Sequence, residues 1–270
     1  MSVHSYRKSR IGMPAGQAVL EYSTFVENRG NGIWIDIGNE DCEVHNCLIA
    51  FNEDAGIFCE ISYGLHAHDN VIVGNGFAFP GSWMVSGISI SSSPGRIIER
   101  NLLVGDQEGF NFREQNRSTQ RIEGGCEPVW NHDEVVRNNV LAFNHDAQVR
   151  AWFDISDERH WPRSMQTDPD SEDAGLSLEG LRLTFEDNLY CPGPGQGLFK
   201  WGAPWKRNEK YGRLDAVREE LGLGQGSEVA EFDVLNYAGL DFRVPADSPA
   251  LSKGCYPRGD VPGVRLGKLP

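Results

Sequence analysis

The chain has 270 residues and a formal net charge of −14, with 31 glycines, 14 prolines and six cysteines. That length can bury a large core, and the acidic balance lacks the basic footprint that nucleic-acid binding needs. No run of about 18 apolar residues is present to span a membrane. A polyanionic substrate is disfavoured too, unless the local arginines Arg113, Arg117 and Arg121 offset the charge.

The opening Met1 to Lys8 lacks the apolar segment of a secretory leader, so a cytoplasmic location is the default expectation. The chain then enters a repeat almost at once. With little sequence to cap a solenoid end, a missing N-terminal part, a partner or self-association as a homo-oligomer is expected there.

Each repeat is a short apolar run with Asn, a polar turn, then Gly and an alternating strand. The first runs from Glu21 to Asn28 and continues as Gly32-Ile33-Trp34-Ile35-Asp36. The second runs from His45 to Asn52 and continues as Gly56-Ile57-Phe58-Cys59-Glu60. The third, Asp69 to Val73, is interrupted by Phe77 to Val85 before Gly87-Ile88-Ser89-Ile90-Ser91. The fourth, Arg100 to Val104, leads to Gly109-Phe110-Asn111-Phe112-Arg113, and weaker copies begin at Asn139 and Asn188. Such self-similarity marks a solenoid or propeller.

Within each strand Ile33/Ile35, Ile57/Cys59, Ile88/Ile90 and Phe110/Phe112 share one face, which is the period of a half-buried strand. The pattern predicts an all-β fold, a single-stranded right-handed parallel β-helix of the pectate-lyase-like kind, over residues 1–202. Asn46, Asn70, Asn101, Asn139 and Asn188 are expected to stack as a ladder at the turns. Residues 203–270 read as a short helix, Leu214 to Gly222, and an irregular closing tail packed on the same solenoid. Cys47 and Cys59 fall on apolar positions and read as core thiols, with no CxxC pair in the chain.

The opposite face carries the chemistry. Asp36 and Glu60 occupy the same place in consecutive copies, so they stack at about one strand spacing, ~4.8 Å. Two acids so held form either a catalytic pair or a cation site. Retaining glycosidases hold their carboxyls ~5–5.5 Å apart and inverting ones ~6.5–9.5 Å, so the stacking favours retention. Two close carboxyls cannot both ionise freely, and one becomes the acid. Trp34 and Phe58 lie beside the acids as sugar platforms, and Ser91 and Arg113 continue the column. A Ca²⁺ ion is the rival tenant of the acids; otherwise no cofactor is required.

Weaker candidates follow. Asp154, in Trp152-Phe153-Asp154-Ile155, repeats the wording of the first strand and is either a second groove acid or an ordinary surface Asp. His66 and His68 share a face and read as substrate hydrogen-bond donors, since two histidines without a third ligand are weak evidence for a metal. His160-Trp161 and Lys200-Trp201 with Trp205 are packing loops or sugar subsites.

Gly32 to Asp36, followed by Gly56 to Glu60 and Ile61-Ser62-Tyr63-Gly64, resembles the catalytic coils of β-helix glycoside hydrolases of the β-xylosidase family. The same segments resemble a broader set of bacterial β-helix repeat proteins. The close resemblance spans about residues 31–76, with a looser one near Asp241–Pro257. It implies Asp36 as nucleophile and Glu60 as general acid/base. The expected function is a carbohydrate-active protein, a retaining glycoside hydrolase on a neutral or weakly charged glycan. The alternatives are a Ca²⁺-dependent polysaccharide lyase using Arg113 or a His as base, and a non-catalytic glycan-binding or assembly module.

Overall fold

Three short strands, joined at tight corners, make up each repeat in the computed structural model, which describes residues 17–79, 85–115, 117–120, 124–153, 178–203, 207–258 and 261–263. Equivalent strands of successive repeats pair in parallel and build three sheets along the chain axis. The first holds six strands, from Val19–Glu21 through Glu43–His45, His66–His68, Ile97–Glu99 and Val135–Arg137 to Thr184–Glu186. The second runs from Thr24–Val26 to Glu228–Val229. The third holds Ile33–Asp36, Ile57–Glu60, Ser86–Ser91, Glu108–Glu114, Ala147–Phe153 and Gly197–Ala203, closed by the antiparallel strand Arg207–Tyr211. The architecture is the expected all-β parallel β-helix.

Alternation decides what lies inside. Val44, Ala67, Ile98 and Val136 point inward from the first sheet, Ile49, Ile72 and Leu103 from the second, and Ile57, Cys59, Ile88, Ile90, Phe110 and Phe112 from the third. All belong to one continuous buried cluster. At about 25 cal/mol per Å² of apolar surface removed from water, this interior column is the main stabilising term.

Glycine stands at the start of the first four strands of the third sheet, as Gly32, Gly56, Gly87 and Gly109, because two coils touch there. A Cβ on Gly56 would stand 2.6 Å from the Gly87 carbonyl oxygen, and one on Gly109 would stand 2.5 Å from that of Gln148. No side chain fits such a gap.

The corners turn on single left-handed residues. Asn46, Asp69, Arg100, Asn138 and Asp187, with φ between 50° and 55°, link the first sheet to the second. The next residue carries the ladder. Asn70 donates its backbone N–H and its Nδ2 to Asn101 Oδ1 at 3.2 and 2.9 Å, Asn101 does the same to Asn139, and Asn139 to Asn188. Asn46 is not a rung: it is the corner residue, and Cys47 takes the rung, its N–H donating to Asn70 Oδ1 at 2.9 Å. A second ladder, not expected, runs through Asn28, Asn52, Asn75, Asp106 and Asn144. Backbone groups at buried corners have no water to turn to, so these side chains supply partners the strands cannot.

The helix Leu214–Leu221 buries Leu214, Val217 and Leu221 in the cluster that fills the coils, and its end is closed by Gly222 in the left-handed region. The tail lies elsewhere. Phe232, Phe242, Ala250, Cys255 and Tyr256 cover the outer face of the second sheet, packing on Val71, Val73, Leu102, Val104, Val140 and Leu189. That cover is why the second sheet is apolar on both faces. The coil pattern also runs past residue 203, since Glu228–Val229 still pairs in parallel with Leu189–Cys191. No helix among the described residues is long and apolar enough to cross a membrane.

Candidate active site on the third sheet and a histidine cluster on the first

Asp36 and Glu60 are direct register partners on the parallel strands Ile33–Asp36 and Ile57–Glu60. Register then leads from Glu60 to Ser91, from Ser91 to Arg113 and from Arg113 to Trp152. The neighbouring column reads Trp34, Phe58, Ser89, Asn111 and Arg150. The interior neighbours of each residue belong to the core, so both columns project from the sheet's outer face.

Among the described residues of these columns, exposure is greatest at the Trp34 end. Trp34 is 51% exposed and Asp36 half-buried, whereas Glu60, Ser89, Ser91, Asn111 and Arg113 are buried. Phe58 touches Trp34, with ring centroids 5.8 Å apart, but its exposure is 0%. The expectation of Phe58 as a second open platform is therefore corrected: outward direction did not mean solvent access, and only Trp34 presents a free ring.

The antiparallel hairpin of Arg117–Gln120 and Cys126–Val129 reaches back to the acids. Arg117 Nη1 lies 3.5 Å from Glu60 Oε1, and Tyr63 donates its hydroxyl to Glu127 at 3.3 Å. Burial raises the Glu60 carboxyl above its ordinary value; Asp36 adds to this, while Arg117 and Arg113 oppose it. Burial raises Asp36 as well, against the backbone N–H of Ile37 and the charge of Arg117.

Two local features distinguish this face. Ile37 and Ile61, the residues after each acid, sit at φ 46° and 48°. A β-branched residue in the left-handed region is strained, and such strain gathers where a site must be held rigid. The second feature is a row of buried polar atoms, Asp36 Oδ1, Ser89 Oγ, Ser91 Oγ and Asn111 Oδ1, with no hydrogen-bond partner among the described residues. Buried polar atoms are normally paired, so this row is an unusual feature of the face, and Asp36 lies at its more open end.

Arg113 acts on Glu60 through its charge and also stacks on the next coil. Its guanidinium lies over the Trp152 ring, 4.2 Å from the centroid. Farther along, Arg150 pairs with Glu108 and Lys200 with Asp146. Trp201 is an interior residue packed on Phe112 and Phe153, not a subsite. Asp154, Arg121, His160, Trp161 and Trp205 lie outside the described residues.

His66 and His68 do share a face, but on the first sheet, not in the column of the acids. The segment between Glu60 and His66 turns a corner, so proximity in sequence does not put them on one sheet. Register pairs Glu43 with His66 and His45 with His68. Glu43, His66 and His68 each place a ligand atom within 4.8 Å of the others. Glu43 comes from the preceding coil, where only the register brings it beside the histidines.

Residues 11–103 match the family model of the right-handed β-helix region. The fold is thus a right-handed parallel β-helix. The matched stretch contains the acid pair and the histidine cluster, Asp36, Glu60, Glu43, His66 and His68. No curated protein and no solved structure matches the chain.

Proposed function

We propose that this right-handed β-helix is carbohydrate-active, and that Asp36 and Glu60 form the pair of a retaining glycoside hydrolase. The register partnership of the two acids on adjacent parallel strands carries the reading, because that spacing suits the ~5–5.5 Å of retaining enzymes. The strained corners after each acid and the row of unpaired polar atoms support it. Glu60, raised by burial, gives its proton to the glycosidic oxygen while an Asp36 oxygen attacks the anomeric carbon. The bond to the leaving group breaks as the glycosyl–Asp36 ester forms. Glu60, now a carboxylate beside Arg117, takes a proton from water; the hydroxyl attacks the anomeric carbon and frees Asp36. A face most exposed at Trp34 and buried toward Arg113 suits the end of a glycan rather than its middle.

The second reading, a glycan-binding module without turnover, draws on the Glu60–Arg117 ion pair, which also fits a purely structural role. A lyase finds less support: Arg113 is engaged with Trp152, and the histidines sit on another sheet. A screen of aryl glycosides and uronate polymers with wild type, Asp36→Asn and Glu60→Gln separates the three. The hydrolase reading expects phenol release by wild type, falling about 10²–10⁴-fold in Glu60→Gln. Glycan affinity retained in both variants, with no turnover by any form, would replace it with the binding module.

A further inference from the structure

The outer face of the first sheet holds a second constellation, independent of the acid pair. His68 lies between two carboxylates: its Nδ1 is 2.6 Å from Asp69 Oδ2 and its Nε2 is 2.9 Å from Glu43 Oε1. Asp69 is itself gripped by Arg100, whose Nε and Nη2 donate at 2.9 and 3.1 Å. A carboxylate so held is an acceptor, so the Nδ1 of His68 carries the hydrogen. In the neutral ring Nε2 is then a lone pair facing another acceptor, Glu43. That 2.9 Å contact is held in one of two ways: by a second proton, which makes both nitrogens of His68 donors, or by a metal cation set against both atoms.

The surroundings fit a metal ion in that place. His66 tilts against His68 with ring centroids 4.2 Å apart, and the ligand atoms of Glu43, His66 and His68 all lie within 4.8 Å of one another. At ligand bonds of ~2.0–2.2 Å, a 2.9 Å separation matches two adjacent positions of one coordination sphere. The Asp69–His68 contact is the carboxylate–histidine arrangement that fixes tautomer and ring orientation behind a metal. His45, stacked parallel on His68 at 4.9 Å, fixes the ring from the side. Glu99 is held by Arg137 and Arg100 at 2.8 and 3.0 Å, and its Oε1 also lies 3.2 Å from His66 Nε2, where it orients that ring. Glu43 has no arginine or lysine partner among the described residues, which leaves its charge for a cation.

We propose that Glu43, His66 and His68 bind one divalent transition-metal cation, zinc foremost, with Asp69 as the carboxylate behind His68. Imidazole nitrogens select zinc and its neighbours over calcium or magnesium, which take oxygen ligands. Glu43 and His66 are 38% and 36% exposed along their side chains, so water completes the coordination.

Zn²⁺ titrated into the metal-free full chain by calorimetry tests this, with Co²⁺ as a spectroscopic probe. One saturable equivalent is expected, a rise in melting temperature with Zn²⁺, and visible Co²⁺ bands of a nitrogen–oxygen site completed by water. His68→Ala and Glu43→Gln should abolish the bands, Asp69→Asn should weaken Zn²⁺ binding about 10–100-fold, and His132→Ala, at a histidine outside the cluster, should leave Zn²⁺ binding unchanged. Glu43→Gln keeps both histidines and the side-chain volume, so it reports even where His68→Ala is unstable. The proposal is overturned by absence of saturable binding, or by binding unchanged in Glu43→Gln and His68→Ala.

Discussion

Asn75 donates its backbone N–H and its Nδ2 to a single oxygen of Asp106, both at 2.8 Å, while the other oxygen, Oδ2, is buried with no partner among the described residues. Elsewhere in that ladder the equivalent atom is an amide nitrogen. Asn52, Asn75 and Asn144 donate Nδ2 to the carbonyls of Phe25, Ile49 and Leu103 at 3.1, 3.2 and 3.0 Å. Phe25, Ile49, Ile72 and Leu103 are successive register partners, so the carbonyl meeting Asp106 is that of Ile72.

Asp106→Asn should therefore stabilise the protein, by about 1–3 kcal/mol at neutral pH. Burial raises the Asp106 carboxyl well above its ordinary value, against the donors of Asn75. The folded chain thus holds a proton that the unfolded chain sheds near pH ~3.9, and stability falls as pH rises from there toward the folded value. The gain from Asp106→Asn should grow with pH across that window. Urea unfolding at several pH values reads it, and a variant less stable than wild type at neutral pH would refute the assignment.

Asn101 and Asn46 should respond differently, although both read as ladder residues. Asn101 is fully buried, accepts from Asn70 and donates to Ala67 O at 2.9 Å. Asn101→Ala should cost about 3 kcal/mol, because partners on two coils lose their bonds. Asn46→Gly should stay within about 0.5 kcal/mol, since glycine accepts the left-handed corner that Asn46 occupies at φ 51°. Equal costs in thermal unfolding would mean that the rung assignment is wrong.

Arg117 should set the pH range of turnover. It lowers both Glu60 and Asp36 against the burial that raises them. In Arg117→Ala both carboxyls rise, so the nucleophile ionises later and the acid keeps its proton longer. The whole profile of kcat/KM should move to higher pH. A profile that stays in place would detach Arg117 from the pair.

Legibility in the sequence followed locality. The alternation of Ile33/Ile35, Ile57/Cys59 and Phe110/Phe112 was enough to assign core and outer face, because strand geometry fixes both. The register of Asp36 with Glu60 followed from each acid lying at the same place after its glycine, Gly32 or Gly56. Phe58 was misread because its burial depends on what lies over the outer face, which no periodicity encodes. Arg117 reaches Glu60 only through a hairpin. The second ladder was visible as Asn28 and Asn52 closing their runs, yet Asp106 broke the residue type. Glu43 joined the histidines only once register placed the preceding coil beside them.

The most direct test of the central claim is the configuration of the first-formed sugar, followed by proton NMR during hydrolysis of an active aryl glycoside. A pair at coil spacing predicts a product with the anomeric configuration of the substrate. First-formed product of opposite configuration would mean that water, not Asp36, attacks the anomeric carbon, and would contradict the account.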